Sequence, residues 1–182
     1  MRASLLLLAL ALGGVAMAAC GSDKSVSATS PAPSATTSAT KSAYLLTLEP
    51  DWAAYSSALA KESAACPVPK VTVQTMNECK RRMLAVNEID TDFIADLRDL
   101  DVPQKLQPAV AALGASLADL NEAHSAIIHD YIDKQDIDGF EHSAGPGSPL
   151  DNALVGNNDA IAQINLLDPQ ADLEATVFVP PS

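Results

Sequence analysis

Apolar residues in this chain recur at helical spacing in four separate runs. The most regular is Leu106, Val110, Leu113, Leu117, Leu120, His124, Ile127 and Tyr131, which alternates steps of four and three. That spacing places side chains on one face of a helix. Pro108 conflicts with a continuous helix from Pro103, so a short turn is expected first, with the main helix starting at Pro108 and ending near Gln135. The run ahead of it, Met76, Cys79, Met83, Val86, Asp90, Phe93, Leu97 and Leu100, is a second sustained seam. Thr75-Met76-Asn77-Glu78 matches a capping box at its start, and Pro103 stops it. A first helix is expected from Pro50, at the first helical position, to Cys66, with Trp52, Tyr55, Leu59 and Cys66 on one stripe and Pro67 and Pro69 ending it. A fourth opens with Ser148 as cap, Pro149 next and Asp151 in the first turn, and carries Leu150, Leu154, Ile161 and Ile164 up to Asp168-Pro169. Ile137 to Gly147 reads as a loop, and Thr176-Val177-Phe178-Val179 as extended chain.

Four helices with short connections predict an all-α fold, an antiparallel four-helix bundle over residues 44–182. Aromatic residues make up 4% of the chain, so the core must be built from Leu, Ile, Val, Ala and Met, which suits helices better than sheets.

Ahead of this domain the pattern changes character. Arg2 gives a positive start, Leu5 to Leu12 an apolar run, and Met17-Ala18-Ala19-Cys20 a small-residue stretch ending in cysteine. Gly13-Gly14 interrupts the apolar run, which makes it a poor spanning helix and a good signal peptide. Met17 to Cys20 resembles the bacterial lipobox, with Met17 where leucine is commoner. The resemblance covers the first 20 residues. It implies cleavage after residue 19, a diacylglycerol on the Cys20 thiol and acylation of the new amino terminus, with palmitate-type chains. The competing reading is an ordinary secretory signal with Cys20 incidental. Two or more acyl chains, at about 0.8 kcal/mol per buried methylene, make an anchor that one chain cannot. The whole resembles uncharacterised actinobacterial lipoproteins. The expected location is the extracytoplasmic face of the cell membrane.

Residues 20–43 then form a tether. Gly21 to Ala43 is Ser, Thr, Ala and Pro with little charge, too polar to order itself. As a flexible chain it spans about 25 Å, and its composition suits O-glycosylation. The net charge of −12 argues against nucleic acid and against lying on anionic lipid, since both need a basic footprint. Of three cysteines, lipidation of Cys20 leaves Cys66 and Cys79, which in an oxidising compartment are expected to pair across the first connection. Their spacing does not match a redox Cys-x-x-Cys.

Candidate chemistry is sparse. His124 and Asp90 interrupt apolar stripes. Counting from a turn at Asp101–Pro103 sets His124 level with Cys79 and Met83, and Asp90 level with Gly114 to Leu117, so the two are not expected to pair. His124 with Met83 would suit a soft metal such as copper, or His124 is a core histidine with a hydrogen-bonded neighbour. Asp90 either faces inward or rotates out and leaves the core to Ile89 or Ile94. Asp96, Asp99 and Asp101 crowd the negative end of the second helix and could hold a hard cation, or are simply hydrated. Asp136-Ile137-Asp138-Gly139 resembles the middle of an EF-hand loop, but Lys134 and Gly145 stand where its strongest ligands belong. Lys80-Arg81-Arg82 is the one basic cluster, with Glu78 placed to pair with Arg82. No nucleophile elbow, zinc-protease, P-loop or di-iron motif is present.

No cofactor or catalytic residue is expected. The sequence favours a lipid-anchored bundle that binds or positions an envelope component, such as a protein partner, without catalysis. The second reading is a surface carrier of a small ligand, metal or haem.

Overall fold

The computed structural model describes residues 41–68 and 70–176. The lipobox with Cys20, most of the tether and Val177 to Val179 lie outside the described residues. Among those described, the chain is all-helical: α1 Leu45–Ala65, α2 Val73–Asp99, α3 Gln107–Ile127, α4 Ile137–Ser143 and α5 Pro149–Leu167. None of these helices is long and apolar enough to cross a membrane.

The seams read from the sequence face inward. Met76, Cys79, Met83, Val86, Phe93 and Leu97 of α2 are buried, as are Val110, Leu113, Leu117, Leu120 and Ile127 of α3 and Leu150, Leu154, Ile161 and Ile164 of α5. Helix α1 packs on α2, α2 on α3, and α3 on α5. Tyr55 and Asn157 hydrogen-bond between α1 and α5, and the Tyr44 hydroxyl donates to Asp168. Tyr55 also packs between Trp52 and Phe93, with tilted rings whose centroids are 5.2 and 6.5 Å away.

Three expectations need correction. Helix α1 begins a turn and a half before Pro50, which sits inside it. Tyr44, Leu45 and Leu48 are buried there, and that burial outweighs the backbone hydrogen bond a proline forfeits. Leu46, whose carbonyl would have accepted that bond, is exposed and open to water. The cap of α2 is Thr72, not Thr75: Thr72 Oγ1 accepts from Thr75 N at 3.2 Å and Thr75 Oγ1 from Thr72 N at 2.7 Å, a reciprocal box built from two threonines. The stretch after Gln135 is not all loop. Asp136 Oδ1 accepts from Gly139 N at 3.0 Å and starts α4, which buries Phe140. Gly139 is required because any β-carbon there would collide with the Tyr131 ring.

The end of the third helix also departs from a plain α-helix. After Ile127 the chain makes one π turn, Ile128–Ile132, with Asp133 N bonded to Ile128 O at 2.9 Å. At the start of α5 the sequence reading holds: Ser148 Oγ accepts from Asp151 N at 3.1 Å, with Pro149 in the first turn. The Cys66 and Cys79 sulfurs stand at disulfide distance, 2.06 Å, across the α1–α2 connection as expected. In the chain-entropy model a bridge over a loop of this length stabilises by about 3 kcal/mol.

Beyond α5 the chain reverses through Asp168–Asp172 and runs back as an extended strap, residues 171–176. It buries Ala171, Leu173 and Thr176, while Asp172, Glu174 and Ala175 face out.

A polar layer inside the helices and the grooves around it

Each of the four long helices contributes one polar residue to its own apolar seam: Glu62 from α1, Asp90 from α2, His124 from α3 and Asn157 from α5. Glu62 is 2% exposed and the other three 0%. A buried polar group is costly unless hydrogen-bonded, so the partners of these four define what the layer can do.

On one side every polar atom is satisfied. Asn157 Oδ1 accepts from Ser116 Oγ at 2.6 Å, and its amide nitrogen donates to the Tyr55 hydroxyl. Ser116 also bonds Leu113 O at 3.0 Å. This chain links α1, α3 and α5.

On the other side the layer is under-satisfied. His124 Nδ1 faces Asn87 Oδ1 at 2.7 Å. An amide oxygen only accepts, so Nδ1 carries the proton. His124 Nε2 lies 3.1 Å from Glu62 Oε1, but off the hydrogen-bond axis, and neither it nor Glu62 Oε2 has a hydrogen-bond partner. Both oxygens of Asp90 are likewise unpartnered. Burial, reinforced by the nearby Glu62 carboxylate, pushes the Asp90 carboxyl up to about 8. The Tyr55 hydroxyl is raised well above its ordinary value by burial and by Asp90 and Glu62.

These contacts place the expected site residues. His124 is buried, but its two nitrogens address Asn87 and Glu62, not Met83. The count from the turn is off by about one helical turn, because side chains in both helices lean toward their own N-termini. His124 thereby reaches Asn87, and Leu97 lies over Gly114. Asp90 faces inward. Asp96, Asp99 and Asp101 are exposed, and among the described residues no group of three or more His, Cys, Asp and Glu side chains is gathered to hold a metal ion. Asp136 caps α4. Glu78 pairs with both Arg81 and Arg82, the latter at 2.9 Å.

Glu62 and Asn157 escaped the sequence reading, although the signal was there. Trp52, Tyr55, Leu59, Glu62 and Cys66 step by three and four, as do Leu150, Leu154, Asn157, Ile161 and Ile164. The polar residue at the seam position is what marks them.

Space for a ligand lies elsewhere. A groove of about 550 Å³ between α2 and α3 is lined mainly by Ile94, Leu97, Leu100, Val102, Val110 and Gly114, with Arg98 and Asp101 at its rim. A second, of about 600 Å³ between α3 and α5, is lined by Ala109, Ala112, Ala115 and Gly156 with Lys105, Asp119 and Asp159. A third, of about 290 Å³, lies between the π turn, α4 and the start of α5. A cleft of about 620 Å³ borders the strap, between it and Trp52, Ala53 and Ser56. Glu62, Asp90 and His124 line none of the four.

No family model matches this chain, and neither does any curated protein or solved structure.

Proposed function

We propose that this protein is a lipoprotein held through Cys20 at the extracytoplasmic face of the cell membrane, and that its helical domain works by binding or positioning an envelope component, without catalysis. Helices α1, α2, α3 and α5 are read as an antiparallel four-helix bundle. Leu97 meets Gly114 and Asn87 meets His124, ten residues down one helix and ten up the next. Tyr44 with Asp168 and Tyr55 with Asn157 set the same reversed register between α1 and α5.

The observation that carries the reading is the separation of polar chemistry from access. Glu62, Asp90 and His124 are enclosed among the helices, whereas the α2–α3 groove, open to solvent, is walled mainly by small and apolar side chains, a surface suited to contact. The carrier reading keeps one support, a buried imidazole with an unpartnered nitrogen. A photo-crosslinking residue at Ala111, in the wall of the α2–α3 groove, tests the first reading in intact membranes. A discrete adduct is expected, lost when Gly114→Phe fills the groove. Absence of any adduct, together with saturable uptake of Cu(I) or haem that His124→Leu abolishes, would favour the carrier instead. Cys20→Ser should release the protein from the membrane fraction or leave it unprocessed, and failure of the wild type to take up labelled fatty acid would sink the anchor.

A further inference from the structure

The strap is held to the helices by its main chain. Asn165 closes a two-point clasp on Leu173, its amide nitrogen donating to Leu173 O at 2.7 Å and its oxygen accepting from Leu173 N at 2.9 Å. Asn158 does the same to Thr176, donating to its carbonyl at 3.0 Å and accepting from its N–H and hydroxyl, both at 2.9 Å. Between them Trp52 Nε1 donates to Glu174 O at 2.7 Å. The two asparagines are seven residues apart, about 10.5 Å along a helix. The residues they clasp are three apart, about 10 Å along an extended chain. Two asparagines two turns apart thus form a ruler for extended peptide, as main-chain recognition requires. The side-chain demand is small: Leu173 and Thr176 point in, and Glu174 and Ala175 point out.

The reversal that delivers the strap holds Asp172 at φ +42°, a left-handed conformation that Asp tolerates better than most residues with a β-carbon. The cleft beside the strap stays open, and Ser56, on its wall, has a buried hydroxyl without a partner.

We infer that the α1–α5 face is a seat for extended peptide, in which the chain's own residues 171–176 stand in for a segment of a protein partner that carries a branched apolar residue and, three positions later, a small hydroxyl-bearing one. This rests on the reading that the domain works by binding a partner, and it names that partner's class. The strap, covalently attached, competes at high effective concentration, so an incoming segment binds weakly until the strap is weakened.

The probe is a fluorescein-labelled synthetic peptide of residues 168–176, titrated into the full chain and followed by anisotropy. Trp52, the chain's one tryptophan, reports the state of the seat. Leu173→Asp should unseat the strap, red-shift Trp52 emission and tighten peptide binding at least ~10-fold over wild type. Adding Asn158→Ala and Asn165→Ala should abolish binding. If Leu173→Asp loses its helical circular dichroism, Thr176→Asp takes its place with the same expectations. No binding by a folded, strap-released variant, or equal binding of a scrambled peptide, overturns the inference. So does concentration-dependent dimerisation of the wild type that the peptide competes away, since the occupant is then a second copy's strap. None of these failures would touch a crosslink from Ala111 in the α2–α3 groove, which tests the wider reading separately.

Discussion

Two halves of one buried polar layer behave differently. Around Asn157 each polar side-chain atom has a hydrogen-bond partner, and the network ties Ser116, Tyr55 and Asn157 into a single arrangement. Around Glu62, Asp90 and His124 the same depth holds carboxylate and imidazole atoms without partners. A satisfied buried network fixes one packing of helices at little net cost, and an unsatisfied one makes stability depend on which groups carry protons. The domain therefore has a side without a group that titrates near neutrality and a side whose stability responds to pH there.

The largest effect should come from pH. Asp90 has its carboxyl raised in the folded state, from 3.8 to about 8. A raised value means that its contribution is fully present below about pH 4, declines as pH rises, and is gone above about pH 8. At ~1.4 kcal/mol per unit the span has a ceiling of about 6 kcal/mol. Denaturant midpoints should fall across that window, and the slope should vanish in Asp90→Asn. A flat wild-type profile from pH 5 to 9 would erase the contrast between the two sides. Asp168 works in the opposite sense. Its carboxyl is lowered by the hydrogen bond from Tyr44, so its contribution is present above pH 4 and lost on acidification, independently of Asp90.

Asn157→Ala comes next. It strips partners from the Tyr55 and Ser116 hydroxyls and leaves a small void, and should cost about 3 kcal/mol in urea unfolding. A cost below about 1 kcal/mol would mean that the network is not holding the helices. Asp90→Leu should act in the other direction and stabilise by about 2 kcal/mol at pH 8, because an unpaired buried acid is replaced by an apolar side chain. Destabilisation there would reveal a partner for Asp90 that the two oxygens do not show. Ser116→Ala, which keeps the shape and removes one hydroxyl, should cost about 1 kcal/mol in thermal melts. A larger loss would mean that Asn157 Oδ1 finds no other donor once the Ser116 hydroxyl is gone.

How much of this was legible in the sequence follows from what periodicity encodes. The α2 and α3 seams, with Asp90 and His124 on them, could be read because steps of three and four survive whatever the neighbours are. Pro50 misled because proline marks a boundary only when burial does not extend the helix past it, and Tyr44, Leu45 and Leu48 do extend it. Glu62 and Asn157 sit at legible positions, each a polar residue on an apolar stripe stepping by three and four. The contacts of His124 were out of reach, since partner choice depends on the lean of side chains, which spacing alone does not carry. The asparagine clasp was equally hidden, because Asn158 and Asn165 acquire meaning only when a distant segment folds back onto them.

The π turn after Ile127 has an evolutionary consequence. An α-helix holds neighbouring residues about 100° apart, yet Ile127 and Ile128 are both buried. The extra residue per turn acts as a phase adjuster, moving the apolar face of α3 from one set of neighbours to the next without a break in the chain. A single-residue insertion into an ancestral α-helix is the simplest origin for such a turn. Deleting one residue between Ile128 and Ile132 should restore regular α-helix and swing everything beyond it, Phe140 included, by roughly a quarter of a revolution out of its place. That short stretch is where this fold should tolerate substitution but not a change in length.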